Sequence, residues 1–318
     1  MIMAREVRGG VEQVLDQLRK FKEPLAVCFE ASTGYGHWYD ALSRLAHHVR
    51  VAHPGQARLI FHSKRKNDRI DAHKLATLLF LDQVPTVHVP SADRRAWRAL
   101  IEFRSRLVGD RTRVKNRLRA LLRRHGLVAP YRLWNKTGHR WLTELAFALP
   151  LDDIQRDLLL DDIVRFDLRL KRVEKALAMI AKKEFGVTLL RTIPGVGIRS
   201  AEAMVAYIDD PHRFHTNKAI GAYLGFIPCL DASADVQRYG HITREGPATV
   251  RRMLIEAAWQ GIRRSPRIKA YYERIKKDNP ERRKIALVAT AHYLARVMLA
   301  MLTTGETWRP EPTAARAA

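Results

Sequence analysis

The spacing of apolar residues changes character along the chain, and each change marks a different kind of structure. Over the first 85 or so residues, short patterns alternate. Val11 to Phe21 is amphipathic at helical spacing, and Leu25-Ala26-Val27-Cys28-Phe29 is an apolar run of strand length. Trp38 to His48 is helical again, and Val49 to His53 is a second strand, closed by Pro54-Gly55. Strand, helix and strand in this rhythm predict an α/β domain with a parallel component. Functional groups in such sheets gather beyond the carboxyl ends of strands, which is where Glu30 falls.

From Ser91 to Gly126 the period lengthens. Leu100, Leu107, Val114 and Leu121 recur every seven residues and predict one long helix with a coiled-coil seam. At about 1.5 Å per residue it extends roughly 50 Å. A second seam runs through Ile163, Phe166, Leu170, Val173, Leu177 and Ile180. The two predict either an antiparallel hairpin or a share of an oligomeric coil. Between them, Trp134 and Trp141 lie among Arg and Lys, and are expected to pack the tip of this arm rather than stack on unpaired bases. The longest apolar stretch, Ile285 to Leu302, carries His292 and Arg296 one turn apart. It reads as a buried amphipathic helix and not as a membrane span.

Charge narrows the class. The chain holds 57 Lys and Arg against 33 Asp and Glu, a formal net charge of +24. Counterion release makes such a chain a binder of polyanions, nucleic acid ahead of an anionic membrane. The first long helix alone carries twelve Lys and Arg and three acids, more than the six aspartates ahead of and within the second seam can balance. Arg111, Arg113 and Arg117 are therefore expected to touch phosphate. Cys28 and Cys229 stand in apolar contexts with no CxxC, and Met1 to Gly10 is mixed and charged. A reducing, bacterial cytoplasm near the nucleoid is the expected location, with no membrane partner.

Two motifs carry candidate chemistry. The first is Lys64-Arg65-Lys66-Asn67-Asp68-Arg69-Ile70-Asp71-Ala72. Asp68 and Asp71, three apart at the start of a helical pattern, share one face. With Glu30 they offer three carboxylates for Mg2+ (or Mn2+) acting on a phosphodiester, while Lys64, Arg65, Lys66 and Arg69 hold the polyanion. Alone, the D-x-x-D spacing is equally an ordinary helix first turn favoured by the dipole. The second motif is Thr192-Ile193-Pro194-Gly195-Val196-Gly197-Ile198-Arg199, between an apolar helix end and a new amphipathic helix. It looks like a helix-hairpin-helix, in which Gly195 and Gly197 let backbone amides approach a phosphate, beside Arg199. It is not a dinucleotide fingerprint, since the third glycine is missing and a helix precedes it. The chain has no P-loop and no Cys/His metal cluster, and His212 and His215 read as structural. Ser233 taken by itself is a loop serine.

Assembled in order, these segments resemble the DEDD-type transposases of the bacterial insertion-sequence family numbered one hundred and ten, which includes the Piv-type invertases. Glu30-Ala31-Ser32-Thr33-Gly34 is similar to that family's E-A-T-G segment, and Lys66 to Ala72 to its K-x-D-R-x-D-A. Ile193 to Gly197, Gly225-Phe226-Ile227-Pro228 and Gly240-His241-Ile242-Thr243-Arg244-Glu245-Gly246 are similar to its C-terminal domain. The resemblance implies an RNase H-like, resolvase-type α/β domain (1–90), a coiled-coil arm (91–185) and an all-α C-terminal domain with the helix-hairpin-helix (186–318). It implies DNA cleavage and rejoining, with double-stranded DNA and a structured guide RNA as partners and a homo-oligomer as the assembly. Ser233 aligns with the family's nucleophilic serine, followed here by Ala234 where glycine is usual. Thr243 and Arg244 join the expected nucleic-acid contacts. The family's tetrad also opens with an aspartate on a first strand, which this sequence lacks. Glu6, Glu12, Asp16 and Glu23 do not stand in apolar strand contexts. The expectation is a start codon assigned too late or an N-terminally truncated copy. The alternative function is an inactive relic that only binds nucleic acid.

Overall fold

The structure, a computed structural model, describes residues 5–60, 67–233 and 236–309. The chain divides into two compact units, Met1–Arg95 and Ala96–Ala318.

The first unit is built from α1 (Val11–Leu18), β1 (Ala26–Glu30), α2 (Tyr35–Leu42), β2 (His48–Ala52), α3 (Pro54–Ile60) and α4 (Asp68–Phe80), and ends on the start of α5 (Ala92–Arg124). β1 and β2 pair in parallel, in a register that sets Ala26 beside His48 and Glu30 beside Ala52. The parallel component expected from the sequence is thus a two-stranded one among the described residues, with an isolated antiparallel bridge from Ala52 to Thr86. β1 is an apolar run because α4 covers it. Leu78 with Ala52 and Val84 forms a small buried core, against which Cys28, Leu75 and Leu79 pack. Burial raises the pKa of the Cys28 thiol, with the Arg50 charge opposing, so that thiol stays protonated. Arg95 ties the end of this unit to its middle. Its guanidinium donates to Asp40 and lies against Gly36, where no side chain fits.

The second unit starts with the rest of α5 and continues through α6 (Lys136–Glu144), α7 (Pro150–Lys183), α8 (Phe185–Leu190), α9 (Ile198–Ile208), α10 (Ala219–Tyr223), the hairpin β3 (Pro228–Ser233) and β4 (Val236–Ile242), α11 (Ala248–Arg264), α12 (Pro266–Lys276) and α13 (Arg283–Thr304). α5 and α7 run antiparallel. Arg104 meets Glu174 at 2.5 Å, Arg111 meets Asp167 at 2.5 Å, and Arg124 meets Asp152, a ladder whose partners rise on one helix as they fall on the other. Between the two alternatives left by the sequence, these residues form an intrachain pair. Its far end is closed by Val114, Leu118, Leu142, Leu160 and Ile163, with Trp134 and Trp141 packed on that cluster. Lys115 and Arg119 lie over the Trp134 ring, so this tryptophan packs the tip. The near end of the pair shares one core with the helices from α8 to α13. α13 is long and apolar enough, by length and composition, to cross a membrane. It instead packs into this core through Ala291, Leu294, Met298 and Leu299, each at most 1% exposed.

Candidate functional site

Glu30 is the last residue of β1, exposed, at the carboxyl end of the parallel pair. Asp68 and Asp71 occupy the first turn of α4, both exposed. Asn67 caps that helix, its side chain accepting from the Arg69 N–H at 2.9 Å. Asp71 pairs with Lys74 at 3.2 Å, within the helix. The two aspartates are therefore presented together, by a helix that later turns fasten to β1 through Leu75 and Leu79. Carboxylate oxygens are the donors that Mg2+ or Mn2+ takes, so the chemistry of the set fits a hard cation. The geometry falls short of the expected convergence: among the described residues no three His, Cys, Asp or Glu side chains are grouped to hold a metal ion. The reason is local. The buried residue of α4, Leu78, lies in its later turns, which leaves the first turn in solvent. Lys64, Arg65 and Lys66 lie outside the described residues, and Arg69 is exposed beside the aspartates.

In the second unit, Gly195 has φ +92°, and a Cβ there would strike the backbone of Gln260 and Gly261 in α11. The close approach that this glycine permits is thus to a protein helix, which accounts for it without a phosphate. Gly197 caps α9 and is exposed, with nothing near its missing side chain. Arg199 is also engaged internally. It donates to both oxygens of Glu202, at 2.9 and 2.7 Å, and to the Glu174 carbonyl at 3.3 Å. Glu202 is 0% exposed, and desolvation raises its pKa despite the Arg199 charge beside it. Neutralising this buried carboxylate is a sufficient role for Arg199.

Ser233 is placed by its backbone as the last residue of β3, paired with Val236 across the hairpin turn; its side chain lies outside the described part. The base of that hairpin is held by a residue that sequence reasoning missed. Arg251 of α11, 9% exposed, donates from Nη1 to the carbonyls of Leu224, Glu245 and Gly246 at 2.9, 2.5 and 3.1 Å. Those carbonyls belong to the two loops that enter and leave the hairpin. Gly225 and Gly246, both at positive φ, let the loops lie against each other. An arginine in a helix's first turn gives no periodic signal; only its proximity to two glycine turns hinted at it. Thr243 is turned inward: its N–H donates to the Ile227 carbonyl at 2.8 Å, and its hydroxyl is buried without a partner. Arg244, at φ +58°, is exposed.

On α5, Arg111 is held by Asp167 and Arg113 by Asp110. Arg111 is paired across the two helices and Arg113 within its own, so neither is a free cation in this fold. Arg117 is exposed and forms no ion pair among the described residues, and Arg106, eleven positions earlier on the same face, is like it.

Two family models match separate stretches of the chain. A family model described as the transposase IS116/IS110/IS902 family matches residues 187–273, and a DEDD transposase model of the IS110 type matches residues 4–126. The chain is 28% identical over 310 residues to the "Probable family 20 transposase" of Pseudomonas aeruginosa, covering 94% of this chain and 89% of that one. It is 27% identical over 299 residues to the transposase for insertion sequence element IS1111A of Coxiella burnetii, covering 89% and 79%. A transposase for insertion sequence element IS1328 of Yersinia enterocolitica is 24% identical over 242 residues, covering 74% and 70%.

Proposed function

The chain belongs to the IS116/IS110/IS902 family of transposases, and from that premise we propose that it cuts and rejoins DNA strands to move an insertion sequence, guided by a structured RNA. The observation that carries this reading is the pairing of Asp68 and Asp71 on one exposed helix turn, fastened to a parallel strand pair that ends in Glu30. In this RNase H-like arrangement the three carboxylates would stand around the scissile phosphate, and Arg69 would offset the phosphate's charge. DEDD transposases typically use divalent metal ions, whose chemistry is to polarise the phosphoryl oxygen. Since no three donors are grouped here, no step is assigned to such an ion.

Ser233 would supply the nucleophile. Its Oγ bonds to phosphorus as one deoxyribose oxygen leaves with a proton, and the phosphoserine ester so formed keeps the strand energetically ready for rejoining by the reverse exchange. Arg251, by fixing both hairpin loops to α11, would hold that serine's strand in place. Binding rests on exposed cations, Arg106, Arg117 and Arg244 among them.

A second reading is favoured by the ungrouped carboxylates: a protein that binds nucleic acid without cutting it. Strand exchange on a plasmid carrying the element's ends separates the two. Asp68→Ala, Asp71→Ala and Ser233→Ala are each expected to lower recombination by about a thousandfold or more, leaving DNA affinity within about twofold. Full activity in the Asp68→Ala and Asp71→Ala proteins removes the carboxylate role. An unmodified protein that binds and never cuts supports the second reading.

A further inference from the structure

At the far end of the α5–α7 pair, cations gather without acids to meet them. Arg104, Arg111 and Arg124 of α5 are held by Glu174, Asp167 and Asp152. Lys115, Arg119, Arg123, Arg132, Lys136 and Arg140 form no ion pair among the described residues. They also stand in rows that repel. Arg111, Lys115 and Arg119 follow at four-residue steps on α5, as Lys136 and Arg140 do on α6. Like charges at that spacing destabilise a helix. Lys115 registers the crowding: burial lowers its pKa, Arg111 lowers it further and Arg119 adds to this, with Asp167 opposing.

The six cations line three adjoining open cavities of about 500, 630 and 400 Å³, a size that suits small ligands. The first shares Arg119 and Leu133 with the second, and Trp134 and Asn135 with the third. Among the described residues lining them, the one acid is Asp167, already held by Arg111. The walls are apolar as well as cationic. Tyr131, 51% exposed, lines the first cavity and Val128, 88% exposed, lines the second. Trp134 packs on the tip cluster, with Lys115 and Arg119 over its ring, yet it lines two of the cavities.

A surface that met phosphate alone would need no apolar wall, and a duplex keeps its bases out of reach of one. An unpaired strand offers both a charged backbone and free ring faces, and cations interleaved with aromatic rings are what hold such strands. We propose that this tip is a cradle for unpaired nucleotides, their phosphates on the six cations and their bases against Tyr131 and the accessible part of Trp134. Packing the tip and receiving a base are compatible roles for Trp134, because the indole is only half-buried. A base that reaches the ring takes the place of Lys115 or Arg119 there and frees that cation for the adjoining phosphate. The cradle rests on the reading that the chain handles nucleic acid, and it is independent of whether the chain cuts. An unpaired RNA loop and a displaced DNA strand present the same chemistry.

The test is fluorescence anisotropy of the full chain with three labelled probes: an oligouridylate, an oligothymidylate, and duplex DNA of the same nucleotide count. Lys136→Gln with Arg140→Gln, and separately Tyr131→Ala, are each expected to weaken both single strands by about tenfold or more, and the duplex by less than about threefold. Arg117→Gln, outside the cavities, is expected to weaken all three probes alike. Single strands are also expected to quench tryptophan emission, and Trp134→Phe to remove most of that quenching. The residues replaced at the tip are exposed or half-buried, and unchanged thermal melting checks that it stays folded. Tighter binding of the oligouridylate would assign the cradle to RNA, and equal binding to any unpaired strand. Equal losses on single strands and duplex, no loss in either cavity variant, or quenching that persists in Trp134→Phe would each overturn it. A chain that binds the duplex and neither single strand would overturn the cradle and leave the proposed function standing, whereas one that binds no probe would end both.

Discussion

At the scale of single residues, the second unit depends on two side-chain decisions made at loops. Arg251 satisfies the buried Leu224 carbonyl and the part-buried carbonyls of Glu245 and Gly246, although desolvation lowers its own pKa, with Arg244 adding to the effect. Arg251→Met keeps the stem and removes the donors. It is expected to cost about 3 kcal/mol in urea unfolding, since orphaned buried polar groups are expensive. A loss under about 1 kcal/mol would mean that water replaces the guanidinium. Gly195 makes the complementary case. Alanine there meets both a positive φ and the backbone of α11. Gly195→Ala is expected to destabilise by about 2–4 kcal/mol, read as a lowered melting temperature. Gly197→Ala, with open space and φ −83°, should be nearly neutral for the fold. The sequence offered the two glycines as equals in a phosphate-binding turn. It could not show which one faces a helix, because Gly261 is distant along the chain and carries no mark of the contact.

Secondary-structure elements were more legible, and for a physical reason. Strand and helix are written in local periods, so the parallel pair β1–β2 and the long helices α5 and α7 lie close to where apolar spacing places them. What spacing omits is pairing. Arg111 reads as a spare cation until Asp167 stands opposite it. The convergence of Glu30 with Asp68 and Asp71 is likewise a tertiary matter, and the D-x-x-D spacing alone could not supply it. α13 shows how an element's surroundings set its chemistry. His292 stacks on Phe226 at 6.3 Å between ring centroids, and its ring fills the space a side chain on Gly221 would take. Burial lowers its pKa, and the Arg296 charge lowers it further. In the fold it is held neutral, whereas in the unfolded chain it takes up a proton near pH 6.5. Below that pH the unfolded state binds more protons, so stability present above pH 6.5 is lost as the pH falls. The melting temperature is expected to drop between pH 7.5 and 5, and His292→Gln should flatten that part of the drop. An unchanged slope in the variant would assign the acid sensitivity to carboxylates instead.

For the whole molecule, the formal charge of +24 already sets acids against bases, so ion pairs within the chain leave it unchanged and decide only which cations face a partner. Arg104, Arg111, Arg124 and Arg156 hold aspartates or glutamates, Arg199 holds Glu202, and Arg251 holds carbonyls. The cations left in solvent still exceed the acids, so nucleic-acid binding should carry the signature of counterion release. On duplex DNA, log K is expected to fall linearly with log salt at about 0.9 per phosphate neutralised. If six to ten phosphates are held, affinity drops about 10³- to 10⁵-fold between 50 and 200 mM salt. The residues that carry the slope differ from those composition suggests. Arg106 and Arg117 form no ion pair among the described residues, so replacing each with Gln should reduce the slope by about 1 and weaken all sequences alike. Arg111→Gln removes a cation already spent on Asp167 and leaves that aspartate unpaired. It should lower affinity by local repulsion with less change in slope, and it should also lower stability, which Arg117→Gln should not. Equal slopes for all three variants would mean that the α5–α7 ion pairs open on binding, and a flat salt dependence of the unmodified protein would exclude the phosphate backbone as its partner.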